Sequence, residues 1–232
     1  MLKVDHLSIG YDGRDLVRDI SFELVPGECV LLAGPNGTGK TTLLRALVAE
    51  GVVLIPTNIP KVKGFTVEAF VRTGCYRESD WRGRISKEVE GRMEEALKML
   101  GIEGLKGRDI STLSDGEFQK ACLATGLTRK AEALLLDEPT AHLDVENRID
   151  VLRTLREVAR KTGTAVLFSS HDLHDALQVA DRVFVLTRDG RFLASGPFDK
   201  LRDPESSVIS SEVEKSKTDV LRAAFPALAN LR

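Results

Sequence analysis

The sequence predicts an α/β protein: a mainly parallel sheet flanked by helices, with antiparallel strands at its N-terminus and a helical insertion. Three observations predict this class. Residues 29–33, 133–136, 165–168 and 183–186 are apolar at every position, as strands covered on both faces are. Stretches at helical spacing separate the later runs, and a strand, helix, strand order implies right-handed parallel crossovers. The segments 2–9 and 15–24 instead alternate apolar and polar side chains, the pattern of strands with one wet face.

Leu2, Val4, Leu7 and Ile9 set up that alternation, and the segment 15–24 (DLVRDISFEL) repeats its style, so the two are expected to pair as an antiparallel hairpin. Pro26-Gly27 turns the chain into the apolar run Cys29 to Ala33. A helix is expected from Lys40 to about Glu50, then a second buried strand from Val52 to Ile55. Between 84 and 101, Ile85, Val89, Met93, Ala96, Leu97 and Leu100 recur at helical spacing and predict an amphipathic helix. A further helix should run from Ser114 to about Lys130. Strands then return at 133–136, 165–168 and 183–186, with helices at 145–161 and 172–180 between them. The expected organisation is a single domain: an α/β core of residues 1–56 and 132–198, a helical insertion at 57–131, and a tail at 199–232 that is polar until Val220 to Leu231.

Composition limits the function classes. The 232 residues hold 33 Lys and Arg against 35 Asp and Glu, a net charge of −2, which argues against a broad basic footprint for nucleic acid. Hydrophobic residues at 42% and charged residues at 29% belong to an ordinary globular chain that can bury roughly 70% of its unfolded surface. Cys29, Cys75 and Cys122 are far apart and lack metal-ligand spacing, so they read as isolated thiols of a cytosolic protein. Lys3 and Asp5 interrupt any signal peptide, and no apolar run approaches the length of a membrane span. The chain is not expected to cross a membrane by itself.

Gly34-Pro35-Asn36-Gly37-Thr38-Gly39-Lys40-Thr41 matches GxxxxGK[ST] and lies between an apolar strand and a helix, followed by Thr42. Backbone N–H groups in such a loop curl around phosphate oxygens, and the helix N-terminus adds partial positive charge. Lys40 is placed to reach the β and γ phosphates, and Thr41 to ligate Mg²⁺. At the end of the strand 133–136, Asp137 and Glu138 supply adjacent carboxylates that packing alone does not explain. Asp137 suits support of Mg²⁺, and Glu138 suits a general base that polarises the attacking water.

Leu113-Ser114-Asp115-Gly116-Glu117 opens the next helix, and Ser114 with Glu117 has the spacing of a capping box. Placed after the helical insertion and before the carboxylate strand, it also resembles the LSGGQ signature of ATP-binding cassette (ABC) ATPases. Tyr11, well ahead of the phosphate loop that begins at Gly34, stands where that family has an aromatic that stacks on adenine. Pro139-Thr140-Ala141-His142-Leu143-Asp144 resembles its D-loop, and Ser169-Ser170-His171-Asp172 its switch histidine. Five motifs in family order cover about residues 1–198. The resemblance implies ATP and Mg²⁺ as ligands. It also implies a homodimer, or a dimer with a similar ATPase subunit, in which Ser114, Asp115, Gly116 and Glu117 of one chain close over ATP held by the other. It assigns His171 to the γ-phosphate and to the alignment of Glu138, and Asp144 to the dimer contact.

Three departures stand out. Thr57 occupies the position of a glutamine that the family sets against Mg²⁺ and water, and threonine is too short for both contacts. The interval from Lys40 to Thr57 is shorter than in most relatives, so the sheet should be trimmed on that side. Asp115 replaces a signature glycine. The stretch PTNIPKVKGFTVEAFVRTGC and the TAHLD form of the D-loop resemble ATPase subunits of importers for iron complexes, haem and cobalamin. That resemblance implies separate transmembrane permease subunits and a peripheral place on the inner face of the cell membrane. An exporter subunit, or a soluble ABC ATPase of metal-cluster assembly, translation or repair, is the alternative. An apolar groove around Phe65, Phe70 and Trp81 is the expected mark of permease docking.

Overall fold

The computed structural model describes residues 1–194 apart from 12, 13 and 142, with the backbone alone at 11 and 14. The expected tail at 199–232 lies outside the described residues. Strands β1 (Leu2–Tyr11) and β2 (Arg14–Leu24) form an antiparallel sheet of their own. Their pairing slips between Val4 and Leu7 and between Leu7 and Ile9, and His6 and Asp19 take positive φ values of 49° and 57°. Such bulges rotate the strand between apolar residues at odd spacing, so that Val4, Ile9, Val17, Ile20, Phe22 and Leu24 all reach the core.

Among the described residues the principal sheet has six strands: β3 (Cys29–Ala33), β4 (Val52–Ile55), β5 (Ala133–Leu136), β6 (Ala165–Ser169), β7 (Arg182–Leu186) and β8 (Phe192–Ala194). Their order is β4-β5-β6-β3-β7-β8, parallel except for β8, which runs antiparallel to β7. The continuous apolar runs have the cause the sequence suggests. Along β3, Cys29, Leu31 and Ala33 enter one core, and Val30 and Leu32 enter another on the opposite face. Neighbouring strands alternate in step, with Phe168 on the first side and Phe184 on the second, both fully buried. Truncating either to alanine costs about 3 to 5 kcal/mol.

Helix α1 (Lys40–Ala46) lies against the hairpin side, and the remaining helices cover the other face. The helix expected to reach Glu50 stops at Ala46. Only a short interval separates it from β4, and a turn in which Val52 N–H donates to the Ala49 carbonyl at 3.1 Å, with Gly51 at φ 77°, occupies that space. β4 is an outer strand of the sheet among the described residues.

The insertion contains α2 (Val67–Arg72), α3 (Lys87–Met99) and α4 (Asp115–Thr128), joined by short 3₁₀ turns. Thr66 and Ser86 cap α2 and α3, accepting from Ala69 N–H at 3.1 Å and Val89 N–H at 3.3 Å. Val89, Met93, Ala96 and Leu97 of α3 are buried as their spacing predicts. Phe65, Phe70 and Trp81, which would favour permease docking if they lined an apolar groove, divide between core and surface. Phe70 turns inward against Phe118, ring centroids 5.5 Å apart, while Phe65 and Trp81 remain exposed. Helices α5 (Val145–Thr162) and α6 (Leu173–Val179) complete the core, close to the expected 145–161 and 172–180. Among the described residues no helix is long and apolar enough to cross a membrane.

Candidate active site

The strand order sets β5, β6 and β3 side by side, so the loops that leave their C-terminal ends meet. Clefts beyond such strand ends are where open α/β sheets bind ligands. The loop after β3 is the glycine-rich segment. Gly34 has φ 152°, and a Cβ there would lie 2.6 Å from the Leu186 carbonyl oxygen, so this backbone position excludes a side chain. Thr38 N–H and Oγ1 turn back on the Pro35 carbonyl, and Lys40 Nζ donates to the Gly34 carbonyl at 2.8 Å. Burial holds the Lys40 ammonium below its ordinary pKa, an effect that the Glu138 and Asp137 carboxylates oppose. Asn36, Gly37, Gly39, Lys40, Thr41, Thr42, Asp137 and Glu138 line a cleft of about 400 Å³.

Asp137 is the hub. Thr41 Oγ1 donates to its Oδ2 at 2.8 Å, and Ser169 Oγ donates to its Oδ1 at 2.9 Å. Ser169 also accepts from Glu138 N–H at 2.9 Å, so one buried hydroxyl ties both carboxylate residues to the end of β6. Glu138 itself has φ 49°, an uncommon conformation for a non-glycine residue. His171 Nδ1 lies 2.6 Å from Glu138 Oε2. The paired oxygens of Thr41 and Asp137 are hard donors of the kind that suits Mg²⁺.

Thr57 sits beside this network but faces elsewhere: its hydroxyl donates to the Asp137 backbone carbonyl at 2.8 Å. It ties the end of β4 to the end of β5. The side chain of Tyr11 and the whole of His142 lie outside the described residues.

The 113–117 segment forms the expected capping box. Ser114 Oγ accepts from Glu117 N–H at 3.2 Å, and Glu117 Oε2 accepts from Ser114 N–H at 2.8 Å. That backbone bond is the main cause holding the Glu117 carboxyl below its ordinary pKa. The cap uses a lone pair of Ser114 and leaves its proton for another acceptor. Gly116 is buried, and a Cβ on it would lie 2.8 Å from Asn147 Oδ1. Asn147 is held in turn by Asp144, which caps α5 by accepting from Asn147 N–H and Nδ2–H, each at 2.8 Å. Asp144 is exposed at this helix start. Asp115 makes an ion pair with Lys61 at 2.6 Å.

The sequence matches the ABC transporter family over residues 17–141, more than half of the chain. This protein belongs to the ABC transporter family. It is an ATP-hydrolysing member, binds nucleotide, and couples hydrolysis to transport. Similar curated proteins include the hemin import ATP-binding protein of Streptomyces coelicolor, 38% identical over 217 residues that span 82% of this chain and 76% of that one. The petrobactin import ATP-binding protein of Bacillus anthracis is 30% identical over 213 residues, 81% and 78% of the two chains. The zinc import ATP-binding protein of Roseobacter denitrificans is 35% identical over 202 residues, 80% and 75%. Among solved structures, CbiO1 of Clostridium perfringens superposes with a TM-score of 0.73 at 24% identity, covering 99% of this chain and 97% of that one, which shows a shared ABC ATPase fold.

Four residues of this ABC ATPase gain meaning only from the structure. Ser169 begins the 169–172 motif, which assigns a role to His171 alone, and it closes an otherwise apolar strand. Asn147 and Lys61 gave no signal, because their contacts, at Gly116 and Asp115, lie far away in sequence. Arg148 donates to the Leu143 carbonyl and pairs with Asp172, tying the loop after β5 to the loop after β6.

Proposed function

We propose that this chain is the ATP-binding and ATP-hydrolysing subunit of a membrane importer for an iron complex, haem or cobalamin. It works as a homodimer, or with a similar ATPase subunit, against separate transmembrane permease subunits on the inner face of the cell membrane. Residues 1–56 and 132–198 serve as the nucleotide-binding core and 57–131 as the helical insertion. The observation that carries the reading is the hydrogen-bonded group of Thr41, Asp137, Ser169, Glu138 and His171 at the ends of adjacent strands. The relatives named for hemin and petrobactin import support the cargo class.

In this mechanism the 34–39 loop cradles ATP phosphates, and Lys40 exchanges its carbonyl partners for β and γ oxygens. Thr41 and Asp137 would hold Mg²⁺, which would supply charge neutralisation at the phosphate oxygens. Glu138 takes the proton of the attacking water, and the His171 Nδ1 contact fixes that carboxylate, leaving Nε2 for the substrate. Ser114 and the Gly116 N–H of a second chain stabilise the γ-phosphate only when the dimer is closed, which makes ATP the glue and hydrolysis the release.

Copurification from native membranes tests the reading. A polytopic permease in equal amount is expected, and recovery in soluble complexes alone would overturn it. Glu138→Gln should lower turnover by about 10² to 10⁴ while ATP binding persists. Uptake of ferric complexes, haem and cobalamin by cells with and without the chain identifies the cargo.

A further inference from the structure

An aspartate inside a phosphate-facing signature poses an electrostatic problem, and Lys61 answers it. Asp115 is the first residue of α4, where a carboxylate suits the helix dipole but opposes an approaching phosphate. Lys61 comes from the connection that leaves β4. Its Nζ lies 2.6 Å from Asp115 Oδ1, donates to the Leu113 carbonyl at 2.9 Å, and stands 5.4 Å from the Phe118 ring centroid. The ammonium is thus held at three points around the start of α4, with its side chain only 26% exposed. The same short segment reaches the hydrolytic centre through the Thr57 hydroxyl on the Asp137 carbonyl. One short stretch, 56–61, therefore touches both the chain's own carboxylate strand and the helix that carries Ser114 and Gly116.

We propose that Lys61 is a positioning residue, which cancels the Asp115 charge and fixes the start of α4 so that Ser114 and Gly116 can receive the γ-phosphate held by a partner chain. This rests on the reading that the 114–117 segment acts on the partner's ATP. An ion pair open to solvent on its Asp115 side adds little to folding, so its effect falls on closure more than on stability.

The test uses full-length chains carrying Glu138→Gln, titrated with Mg-ATP, alone and in the copurified membrane complex, with closure read by light scattering and by crosslinking. Lys61→Met should raise the ATP concentration for half-maximal closure about tenfold, as expected for an uncompensated charge near a phosphate. Lys61→Arg should restore most of the loss. Asp115→Gly added to Lys61→Met should also restore it, because the charge that Lys61 cancels is then gone. Binding of a fluorescent ATP analogue to the open chain, and the melting temperature, should move little. Closure indifferent to Lys61→Met, or a double variant as defective as Lys61→Met alone, overturns the proposal while leaving the two-chain reading standing. If the Glu138→Gln chain with Lys61 intact does not close at saturating Mg-ATP in either setting, the two-chain reading fails and the Lys61 proposal falls with it.

Discussion

Ser169→Ala removes a single oxygen, and the cost of that loss can be worked from its contacts. The hydroxyl is fully buried, donates to the Asp137 carboxylate at 2.9 Å and accepts from Glu138 N–H at 2.9 Å. The bond to the carboxylate is worth about 1.5 to 3 kcal/mol and the bond from the amide about 0.5 to 1.5, so the variant should lose roughly 2 to 4 kcal/mol. Against a typical domain stability of about 5 to 15 kcal/mol this is a large fraction, and for a chain of this size it lowers the melting temperature by roughly 5 to 15 °C. Turnover should suffer separately. Glu138 occupies a left-handed conformation at φ 49° that its neighbours must hold, and Ser169 is one of the groups that hold it. Release of that backbone misplaces the carboxylate, and a displacement of about 1 Å costs about 10² in rate. Urea denaturation followed by circular dichroism gives the first number, and steady-state Mg-ATP hydrolysis at a temperature where the variant is folded gives the second. A stability loss below about 0.5 kcal/mol, the low end for even one neutral hydrogen bond, together with unchanged kcat would refute the reasoning.

Three further outcomes follow from the same geometry. Gly116→Ala should destabilise by about 1 to 3 kcal/mol, because its Cβ would fall 2.8 Å from Asn147 Oδ1; Asn147→Ala in the same chain should recover part of that in thermal melts. Thr57→Val should cost about 1 kcal/mol in urea denaturation by removing the bond to the Asp137 carbonyl, and a turnover loss comparable with that of Glu138→Gln would show that Thr57 does more than tie strands. Glu117→Ala should cost about 1 kcal/mol near pH 7 through the broken cap. The Glu117 carboxyl is held below its ordinary value of 4.5, so its contribution is present above that value and is lost as pH falls through the lower folded one. The stability gap between wild type and Glu117→Ala should therefore shrink in melts taken from neutral pH into the acid range below that ordinary value.

The sheet is legible in the sequence where burial on both faces forces unbroken apolar runs, as at Cys29 to Ala33 and Ala133 to Leu136. Helix α3 is legible because one stripe alone is buried. Strand β8 is not, because Phe192 to Ala194 are half-exposed or exposed and too few to carry a pattern. The early end of α1 is equally hidden, since KTTLLRALVAE reads as continuous helix and the turn that stops it serves the placement of β4. In the site, the phosphate loop, Asp137 and Glu138 are readable because their residue types have few other uses in that position. The partners that hold them in place are not. Ser169, Asn147 and Lys61 act across long sequence separations, and each has an ordinary surface or strand-end explanation until the fold brings it to its contact. Asp115 illustrates the limit well: its identity announces a negative charge at the start of α4, while the cation that pairs with it lies far earlier in the chain, beyond α2 and α3.

β4 lies at the margin of the sheet, where, among the described residues, no strand pairs with its outer side. An open margin is a template for the edge of another molecule, and so a route to aggregation. This margin is only four residues long, is entered through a turn at Gly51, and runs into the exposed Pro56, which has no N–H to offer a neighbouring strand. The margin is thus too brief and too abruptly terminated to offer a foreign strand more than a short length of pairing.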